Sequence, residues 1–388
     1  MAWPCRIKCN RFLVLFSLSL VTVLLWYSTV HFQSISRIDD DIQSTASPSV
    51  KTILLWNADQ RKEVRVFGIG SEAFREQGCQ FDRCQITSNR SERPLETYDA
   101  IIVNFNDEFV LKDFPELSRR RQHQRYVFFT QESPAALAHL YDFEHYKNDF
   151  NWTMTYRTDS DIPFLYGRII PEESAPRTVK EVMSLRAKAS SRSPSNKTKT
   201  IAWMVSHCDT DSQREKYVEQ LKKYIRVDIY GGCGNLTCAR HILHHSDPQC
   251  YDMLQSTYKF YLSFENSLCP DYVTEKFFKI MDHDILPVVY GGADYSQYSP
   301  PHSYIDAGKF KPEELAAYLN LLDKNDSLYN EYFWWKDHYR VESSVNDMAR
   351  HGFCDLCRRL HENTGPKTNL NFVSDWDLNS CKRPPNFA

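Results

Sequence analysis

Runs of consecutive apolar residues recur along the first part of the chain. They cover residues 52–56, 100–105 and 126–130, and longer mixed stretches separate them. Short continuous apolar runs are typical of strands that are buried on both faces of a parallel sheet. Because the stretches between them are long enough for helices, the pattern predicts an α/β domain over residues 51–187.

A second alternation of the same kind follows. Apolar runs cover residues 201–205, 227–230, 260–264 and 286–290, and glycines follow the second and fourth of them. Residues 312–322 begin with Pro and carry Leu at helical spacing, which predicts an amphipathic helix. This pattern predicts a second parallel α/β domain.

A polar segment separates the two alternations. Residues 188–199 contain four Ser, three Lys and one Pro and few apolar residues, a composition typical of a linker. We therefore expect the second domain to cover residues 200–360 and a C-terminal tail to cover residues 361–388. Ligands of doubly wound sheets bind at the carboxyl ends of the strands. The predicted fold class is thus α/β, with two Rossmann-like domains facing a crevice.

The N-terminus carries a different pattern. Residues 12–32 contain no Asp, Glu, Lys or Arg, and about 20 such residues can cross a bilayer as a helix. The basic residues of segment 1–11 favour a cytoplasmic N-terminus. A cleaved signal peptide is the alternative, but its apolar region is shorter and ends in small residues, whereas this run contains Trp26 and Tyr27. We expect a cytoplasmic tail, an uncleaved signal-anchor at 12–32 and a stem at 33–50.

The cysteines and sequons fit a body in the secretory lumen. Ten of the twelve cysteines follow the apolar segment, and an even number in an oxidising compartment predicts disulfides. The Cys354-x-x-Cys357 pattern also occurs in redox and zinc sites, but the sequence has no second pair of this kind. Candidate glycosylation sites are Asn89, Asn151, Asn196, Asn235 and Asn325.

Overall charge gives no reason to expect a nucleic-acid partner. The formal net charge is only −3, and the local basic run at residues 119–125 is typical of a solvated surface. The sequence contains no indication of an oligomeric state.

The densest set of chemically useful residues lies between a predicted strand and a helix, at residues 264–277. Glu265 and Glu275 are suited to binding sugar hydroxyls, and Lys276 is suited to neutralising a phosphate. The alternative is a structural joint in which Asp271 and Thr274 start a helix. Spacing alone does not separate these interpretations.

Five segments together resemble the motifs of the α1,3-fucosyltransferase family. Residues 258–289 resemble its signature, with Phe-Glu-Asn-Ser followed by Asp-Tyr-Val-Thr-Glu-Lys-Phe. Residues 129–134 resemble its Glu-Ser-Pro motif, 151–162 its Tyr-Arg-x-Asp-Ser-Asp segment and 203–208 its Trp-x-Val-Ser-Asn-Cys strand. The Cys-x-x-Cys at 353–357 also fits. A series in the right order is far more specific than a single motif.

The resemblance implies a chemistry and a location. Members transfer L-fucose from GDP-β-L-fucose, with inversion, to a GlcNAc hydroxyl of glycoprotein glycans. They have a two-domain fold of the GT-B type and are anchored in the Golgi membrane as single-pass type II proteins. The implied reaction needs no cofactor and no metal, and a divalent cation is expected at most to stimulate it.

The resemblance also implies catalytic roles. A sugar hydroxyl needs a base to act as a nucleophile, and Glu132 matches the family's base, although its position before Pro134 also suits the start of a helix. Glu275 is expected to stabilise positive charge on the fucosyl ring.

The donor site is assigned on the same basis. Arg214 lies in the first turn of a helix for which Ser212 and Glu215 predict a capping box. Arg214 and Lys276 match basic donor-site positions and would neutralise the leaving GDP, although each alone is more often a surface cation. The further candidate donor contacts are Ser206, Glu265, Asn266 and Tyr272.

Other matched residues have less defined roles. Candidates for acceptor binding or for structure are Tyr156, Arg157, Asp159 and Asp161. The family's local pairs and the short spacings predict the disulfides Cys79–Cys84 and Cys354–Cys357, whereas the pairing of the other six lumenal cysteines stays open. The sequence departs from the family at His207, where Asn is usual, and at residues 281–284, which affects donor-site detail.

Two rival functions and the acceptor remain open. A metal-dependent transferase would use an Asp-x-Asp site, a loose pattern that occurs at residues 159–161, 209–211, 282–284 and 375–377. A non-catalytic glycan-binding protein on the same fold would lack the base. The stretch 230–238 resembles the branch acting on the N-glycan core, and the Tyr-Arg-Thr-Asp-Ser-Asp stretch resembles the branch acting on antennae.

Overall fold

The structure is a computed structural model that describes residues 49–106, 114–191, 196–238, 248–362, 376 and 378–386. The predicted cytoplasmic tail, the signal-anchor at 12–32 and nearly all of the stem lie outside the described residues. No helix in the described ranges is both long and apolar enough to cross a membrane. The chain divides into the units Met1–Val50 and Lys51–Ala388, and all the described strands and helices belong to the second unit.

The first sheet has six strands, all parallel. In chain order they are β1 (Lys51–Leu55), β2 (Cys84–Thr87), β3 (Ala100–Asn104), β4 (Arg125–Thr130), β5 (Trp152–Thr155) and β6 (Ile162–Pro163). Their spatial order is β2-β1-β3-β4-β5-β6. β3 and β4 are buried at every residue, as expected for strands with packing on both faces.

Seven further strands form two sheets. They are β7 (Arg168–Pro171), β8 (Lys199–Met204), β9 (Val227–Tyr230), β10 (Tyr258–Phe264), β11 (Leu286–Tyr290), β12 (Ile305–Asp306) and β13 (Tyr339–Glu342). Five of them form a parallel sheet in the order β12-β11-β10-β8-β9, while β7 and β13 form an antiparallel pair. We call the first sheet with its packed helices the first half, and the five-stranded sheet with its helices the second half.

Helices connect the strands of both halves. The α-helices are α1 (Lys62–Phe67), α2 (Glu72–Glu76), α3 (Pro134–Leu137), α4 (Val179–Ser190), α5 (Arg214–Leu221), α6 (Pro248–Thr257), α7 (Glu275–Met281), α8 (Pro312–Asp323), α9 (Asp326–Asn330) and α10 (Val345–Glu362). Short 3₁₀ helices lie at Leu95–Thr97, Leu117–Arg119, Phe143–Tyr146, Tyr295–Gln297, Ala307–Lys309, Glu331–Phe333 and Leu378–Ser380.

The predicted α/β class with parallel sheets is confirmed. Each predicted apolar run forms a strand, and the predicted helix at 312–322 is α8, whose Leu315, Leu319 and Leu322 are buried. Two local predictions were wrong. α4 continues to Ser190, so the first residues of the predicted linker 188–199 are helical. The predicted Ser212–Glu215 capping box is absent, since Gln213 precedes α5 in a left-handed conformation (φ 51°).

The predicted boundary of the second domain at residue 360 was also wrong. α10 packs against the first half, where Phe353, Leu356 and Leu360 join a core cluster with Ile53 and Val127. The helix has an apolar face that the first sheet buries, so the chain returns to the first half after β13.

The predicted disulfides Cys79–Cys84 and Cys354–Cys357 were wrong. The structure has Cys79–Cys354 and Cys84–Cys357, with Cα–Cα distances of 5.2 and 5.9 Å. Spacing suggested local loops, but Cys354 and Cys357 lie within an 18-residue helix that packs on the cysteines near β2. The three other pairs, which the sequence left open, are Cys208–Cys233, Cys238–Cys250 and Cys269–Cys381.

Candidate active site

A cavity of about 430 Å³ lies between the two halves at the carboxyl ends of β4, β8 and β10. The first half contributes Glu132, and Tyr166 lines the cavity from the segment between β6 and β7. Of the predicted site residues, the structure brings together here Glu132, Ser206, Arg214, Asn266, Tyr272, Glu275 and Lys276. Residues far apart in the sequence thus face one space.

Glu132 stands between β4 and α3. Its backbone N–H donates to Thr130 Oγ1 at 3.1 Å, and the next residue, Ser133, caps α3 by accepting from the Ala136 N–H. Ser133 Oγ also donates to Ser267 Oγ in the second half at 2.7 Å. The half-buried Glu132 carboxylate is therefore held at the cavity wall by a strand end and a helix start, where it can accept a proton from a bound hydroxyl.

α7 presents two opposite charges to the same cavity. Lys276 Nζ lies 3.1 Å from Glu275 Oε1 and 3.3 Å from Glu265 Oε2. Burial acts to raise the pKa of Glu275, but the positive charges of Lys276 and Lys62 outweigh it and lower the pKa to about 2. Burial acts to lower the pKa of Lys276, and the two carboxylates raise it above the usual value. Glu275 therefore stays ionised and Lys276 protonated.

Glu265 lies beneath the cavity and does not line it. Its side chain is fully buried, and its Oε1 accepts from the Thr274 N–H at 2.8 Å and from Thr274 Oγ1 at 3.0 Å. Burial raises its pKa, against the effect of Lys276. Geometry thus gives Glu265 a supporting position under Thr274 and Lys276, without access to a bound sugar.

Arg214 is a buried cation at the cavity wall. Its side chain donates to the carbonyl oxygens of Phe264 at 2.6 Å and His207 at 3.3 Å, and no carboxylate of a described residue lies within ion-pair distance. Burial lowers its pKa, and Nε has no hydrogen-bond partner among the described residues. Such a group, 3% exposed at a cavity wall, is suited to an anionic ligand.

The loop before Arg214 is tied to the end of β10. Ser212 Oγ donates to the Glu265 carbonyl at 2.7 Å, and its backbone N–H donates to the Asn266 carbonyl at 3.0 Å. Asn266 Oδ1 is buried and has no donor among the described residues. Asn266 therefore has a free acceptor next to the cavity.

The Tyr-Arg-x-Asp-Ser-Asp residues do not line the cavity. Arg157 pairs with Asp159 at 2.6 Å, and Asp161 accepts from the Thr153 N–H and Oγ1. Tyr156 is buried, and its ring lies 4.8 Å from the ring of Tyr272 in a T-shaped contact. Their contacts favour the structural alternative of the two that the sequence left open.

Comparison with known proteins matches both halves to one family. Residues 48–167 match the model described as "Fucosyltransferase, N-terminal", and residues 194–376 match "Glycosyltransferase family 10 (fucosyltransferase) C-term". A Drosophila melanogaster protein, alpha-(1,3)-fucosyltransferase C, is 41% identical over 86% of this chain and 79% of its own length. The chain belongs to glycosyltransferase family 10, the fucosyltransferases. The α1,3-fucosyltransferase interpretation of the sequence is thus confirmed.

Other fucosyltransferases are similar to this chain. Drosophila melanogaster glycoprotein 3-alpha-L-fucosyltransferase A is 35% identical over 81% of this chain and 58% of its own length. Bos taurus 3-galactosyl-N-acetylglucosaminide 4-alpha-L-fucosyltransferase FUT3 is 38% identical over 76% and 74%, respectively. A crystal structure of an α1,3-fucosyltransferase with GDP-fucose is 16% identical, covers 84% of this chain and 94% of that chain, and has a TM-score of 0.49.

Sequence reasoning missed several cavity residues of this family member. Tyr166 Oη donates to the Gln131 carbonyl at 2.8 Å, beside Glu132, and burial raises its pKa. Gly231 borders the cavity with φ 96°, and a Cβ there would lie 2.6 Å from the Val205 carbonyl oxygen. The glycines after β9 were a visible signal, whereas the sequence around Tyr166 gave none.

Three of the four Asp-x-Asp pairs of the metal rival can be compared with the cavity lining. In the described ranges, the pairs at 159–161, 209–211 and 282–284 contribute no residue to its lining, and residues 375 and 377 lie outside the described residues. Asp284 instead faces Lys336 at 3.7 Å.

The candidate glycosylation sites differ in exposure. Asn89, Asn196, Asn235 and Asn325 are exposed. Asn151 is only 5% exposed, and its Oδ1 accepts from the Tyr126 N–H at 2.9 Å.

Proposed function

We propose that this protein transfers L-fucose from GDP-β-L-fucose, with inversion, in α1,3 linkage to a GlcNAc of a glycoprotein glycan. The observation that carries the proposal is the buried Arg214, which has no acidic partner among the described residues and faces the same cavity as Lys276 and Glu132. A cationic pocket opposite a carboxylate is what transfer from a nucleoside diphosphate sugar to a hydroxyl requires.

The two cations of the cavity act on the diphosphate of the donor. Arg214 and Lys276 bind the diphosphate and stabilise the negative charge that grows on the leaving GDP. Asn266 and Ser206 line the same cavity and would contact the rest of the donor. All of these side chains would act directly on the donor substrate, so we propose that the reaction requires no cofactor.

The two carboxylates act on the sugars. Glu275, which is ionised at neutral pH because of Lys276 and Lys62, stabilises positive charge on the fucosyl ring. Glu132 accepts the proton of the GlcNAc hydroxyl as that oxygen attacks the anomeric carbon. A single displacement from one side while GDP leaves from the other inverts the anomeric configuration.

The architecture and location form part of the same proposal. Two parallel α/β halves with a cavity between them support a GT-B fold. Five disulfides among the described residues support an oxidising compartment, and the apolar segment 12–32 supports a type II Golgi membrane protein. A divalent cation would at most stimulate the enzyme, because Arg214 and Lys276 already supply positive charge.

The identity of the acceptor GlcNAc is the most specific part of the proposal. We infer the innermost GlcNAc of N-glycans, with antennal N-acetyllactosamine as the alternative. One relative is named for glycoproteins and another for galactosyl-GlcNAc, so similarity does not choose between them. The support for the core is the loop of residues 231–238, which borders the cavity at Gly231 and Cys238 and is held by Cys208–Cys233 and Cys238–Cys250.

A competition experiment tests the proposal. Full-length protein in detergent is offered a core N-glycopeptide and N-acetyllactosamine together with GDP-fucose, and products are identified by mass spectrometry. We expect fucose on the 3-hydroxyl of the innermost GlcNAc, and no transfer with GDP-mannose or UDP-galactose. Transfer only to N-acetyllactosamine would refute the core assignment, and absence of transfer to either acceptor would refute the fucosyltransferase proposal.

A further inference from the structure

Tyr272 belongs to the second half by sequence but is packed into the first. It lies in the loop between β10 and α7, after Asp271, whose backbone is left-handed (φ 59°). Thr158 of the first half donates to the Asp271 carboxylate from its N–H at 3.1 Å and from Oγ1 at 2.6 Å. The loop is therefore fastened to the first half just before Tyr272.

The ring of Tyr272 is held rigidly by apolar contacts. It is 2% exposed and belongs to a core cluster built mainly from the first half. Its T-shaped contact with Tyr156, at 4.8 Å between ring centroids, fixes the ring orientation, and Cys269–Cys381 holds the start of the loop.

The hydroxyl of this ring reaches the base of the proposed reaction. Tyr272 Oη donates to Glu132 Oε2 at 3.2 Å, a contact that spans 140 residues of sequence. Burial raises the pKa of Tyr272 well above its usual value, so the hydroxyl remains a neutral donor over the whole physiological range. No other side-chain donor to the Glu132 carboxylate is present among the described residues.

We infer that Tyr272 is a positioning residue that orients the Glu132 carboxylate towards the acceptor hydroxyl. This inference rests on the proposed function, and it differs from the donor-sugar contact that the sequence assigned to Tyr272. Because the hydrogen bond holds Oε2, it fixes the orientation of the carboxylate, whose remaining acceptor sites are available for the proton.

The position of Tyr272 also links the base to the donor site. Tyr272 precedes Glu275 and Lys276 by three and four residues in one loop–helix segment, so one rigid segment sets the donor charges and the orientation of the base. Misplacement of a reacting group by about 1 Å can cost about a hundredfold in rate.

The test is a double-mutant cycle of Tyr272→Phe with Glu132→Gln, assayed with the full-length protein. Phe keeps the ring and removes only the hydroxyl. We expect Y272F to lower kcat by about ten- to a hundredfold while the KM for GDP-fucose changes by less than about twofold. In the E132Q background, Y272F should change kcat by less than about twofold, since a residue acting through Glu132 has nothing left to orient.

A matched control is Tyr295→Phe. Tyr295 is also buried, its ring packs on Phe277 of α7, and its hydroxyl has no partner among the described residues. Y295F should leave kcat unchanged, and thermal unfolding of all variants should show that each is folded.

The outcomes separate the possible failures. A raised KM for GDP-fucose with unchanged kcat in Y272F would assign Tyr272 to donor binding and overturn the inference. Multiplicative losses in the double mutant would overturn it too, because they indicate independent action. If E132Q itself retains the wild-type kcat, the proposed role of Glu132 fails, and the inference fails with it.

Discussion

Replacing Arg214 tests the feature on which the proposed function rests. In Arg214→Ala, the cavity loses its buried cation, and the carbonyl oxygens of Phe264 and His207 lose a donor each. Lys276 remains, but its charge is shared with two carboxylates at 3.1 and 3.3 Å. Little positive charge then remains for the departing diphosphate.

The magnitude depends on what Arg214 contributes. Removal of one preorganised donor for developing negative charge costs about 10²–10³ in kcat, or about 2.7–4 kcal/mol. Two effects on stability oppose each other. The unpaired Phe264 carbonyl costs about 1–3 kcal/mol, while removal of a buried charge that has no ion pair with a described residue relieves a desolvation penalty. We therefore expect a large loss of kcat/KM with only a small change in Tm.

The assay compares three variants with wild type. GDP release and GDP-fucose KM are measured for R214A, for R214K and for R226A. Arg226 is the matched control, because it lies in the same half but its side chain is 82% exposed and pairs with Asp228. R214K should be intermediate, since an ammonium keeps the charge but lacks the extended planar fork of donors with which the guanidinium reaches two carbonyl oxygens and a ligand. An R214A enzyme within about threefold of wild-type kcat/KM would refute the reasoning, because loss of a preorganised charge partner costs far more.

Three other features of the protein can be tested by stability, peptide mapping and metal removal. Lys276→Met should lower the free energy of unfolding by about 3–5 kcal/mol, because it leaves the fully buried Glu265 carboxylate without the cation that pairs with it. Chemical denaturation measures this free energy, and an unchanged midpoint would contradict the prediction. Non-reducing peptide mapping should link Cys79 to Cys354, whereas a Cys79–Cys84 peptide would show the pairing to be wrong. EDTA should leave most of the turnover intact, and complete loss restored by manganese would favour the metal-dependent alternative.

Much of the sheet structure could be predicted because it is encoded locally. The apolar runs at 100–105 and 260–264 appear as β3 and β10, since a strand buried on both faces needs apolar residues at every position. β2 was missed because it is short and carries the polar residues Gln85 and Thr87, and β6 was missed because it has only two residues. Helix α10 was assigned to the wrong half, because the apolar pattern of a helix predicts that one face is buried but not which sheet buries it.

Some features of the candidate site could likewise be predicted from the sequence, and others could not. Glu132, Arg214 and Lys276 could be selected because each follows a predicted strand and matches a family motif. Their common cavity is visible only once both halves are folded. The position of Glu265 beneath the cavity could not be predicted, because one residue of register decides whether a side chain after β10 faces the crevice or the interior. The contact from Tyr272 to Glu132 depends on the left-handed turn at Asp271, for which the sequence carries no clear signal.

The return of α10 to the first half has a consequence for how the protein is made. A ribosome delivers the six strands of the first sheet long before it delivers residues 345–362, which complete that sheet's core. Until then, Val64 and Phe67 of α1 lack the apolar contacts that α10 supplies in their core cluster, and Cys79 and Cys84 have no partners. The nascent chain therefore passes through a stage with exposed apolar surface and two free thiols, in which premature pairing of those two cysteines has to be avoided or reversed by thiol–disulfide exchange. A truncation that removes α10 would accordingly unfold the first half, although that half is encoded far from the C-terminus. The second half, which is encoded nearer to the C-terminus, would stay largely complete.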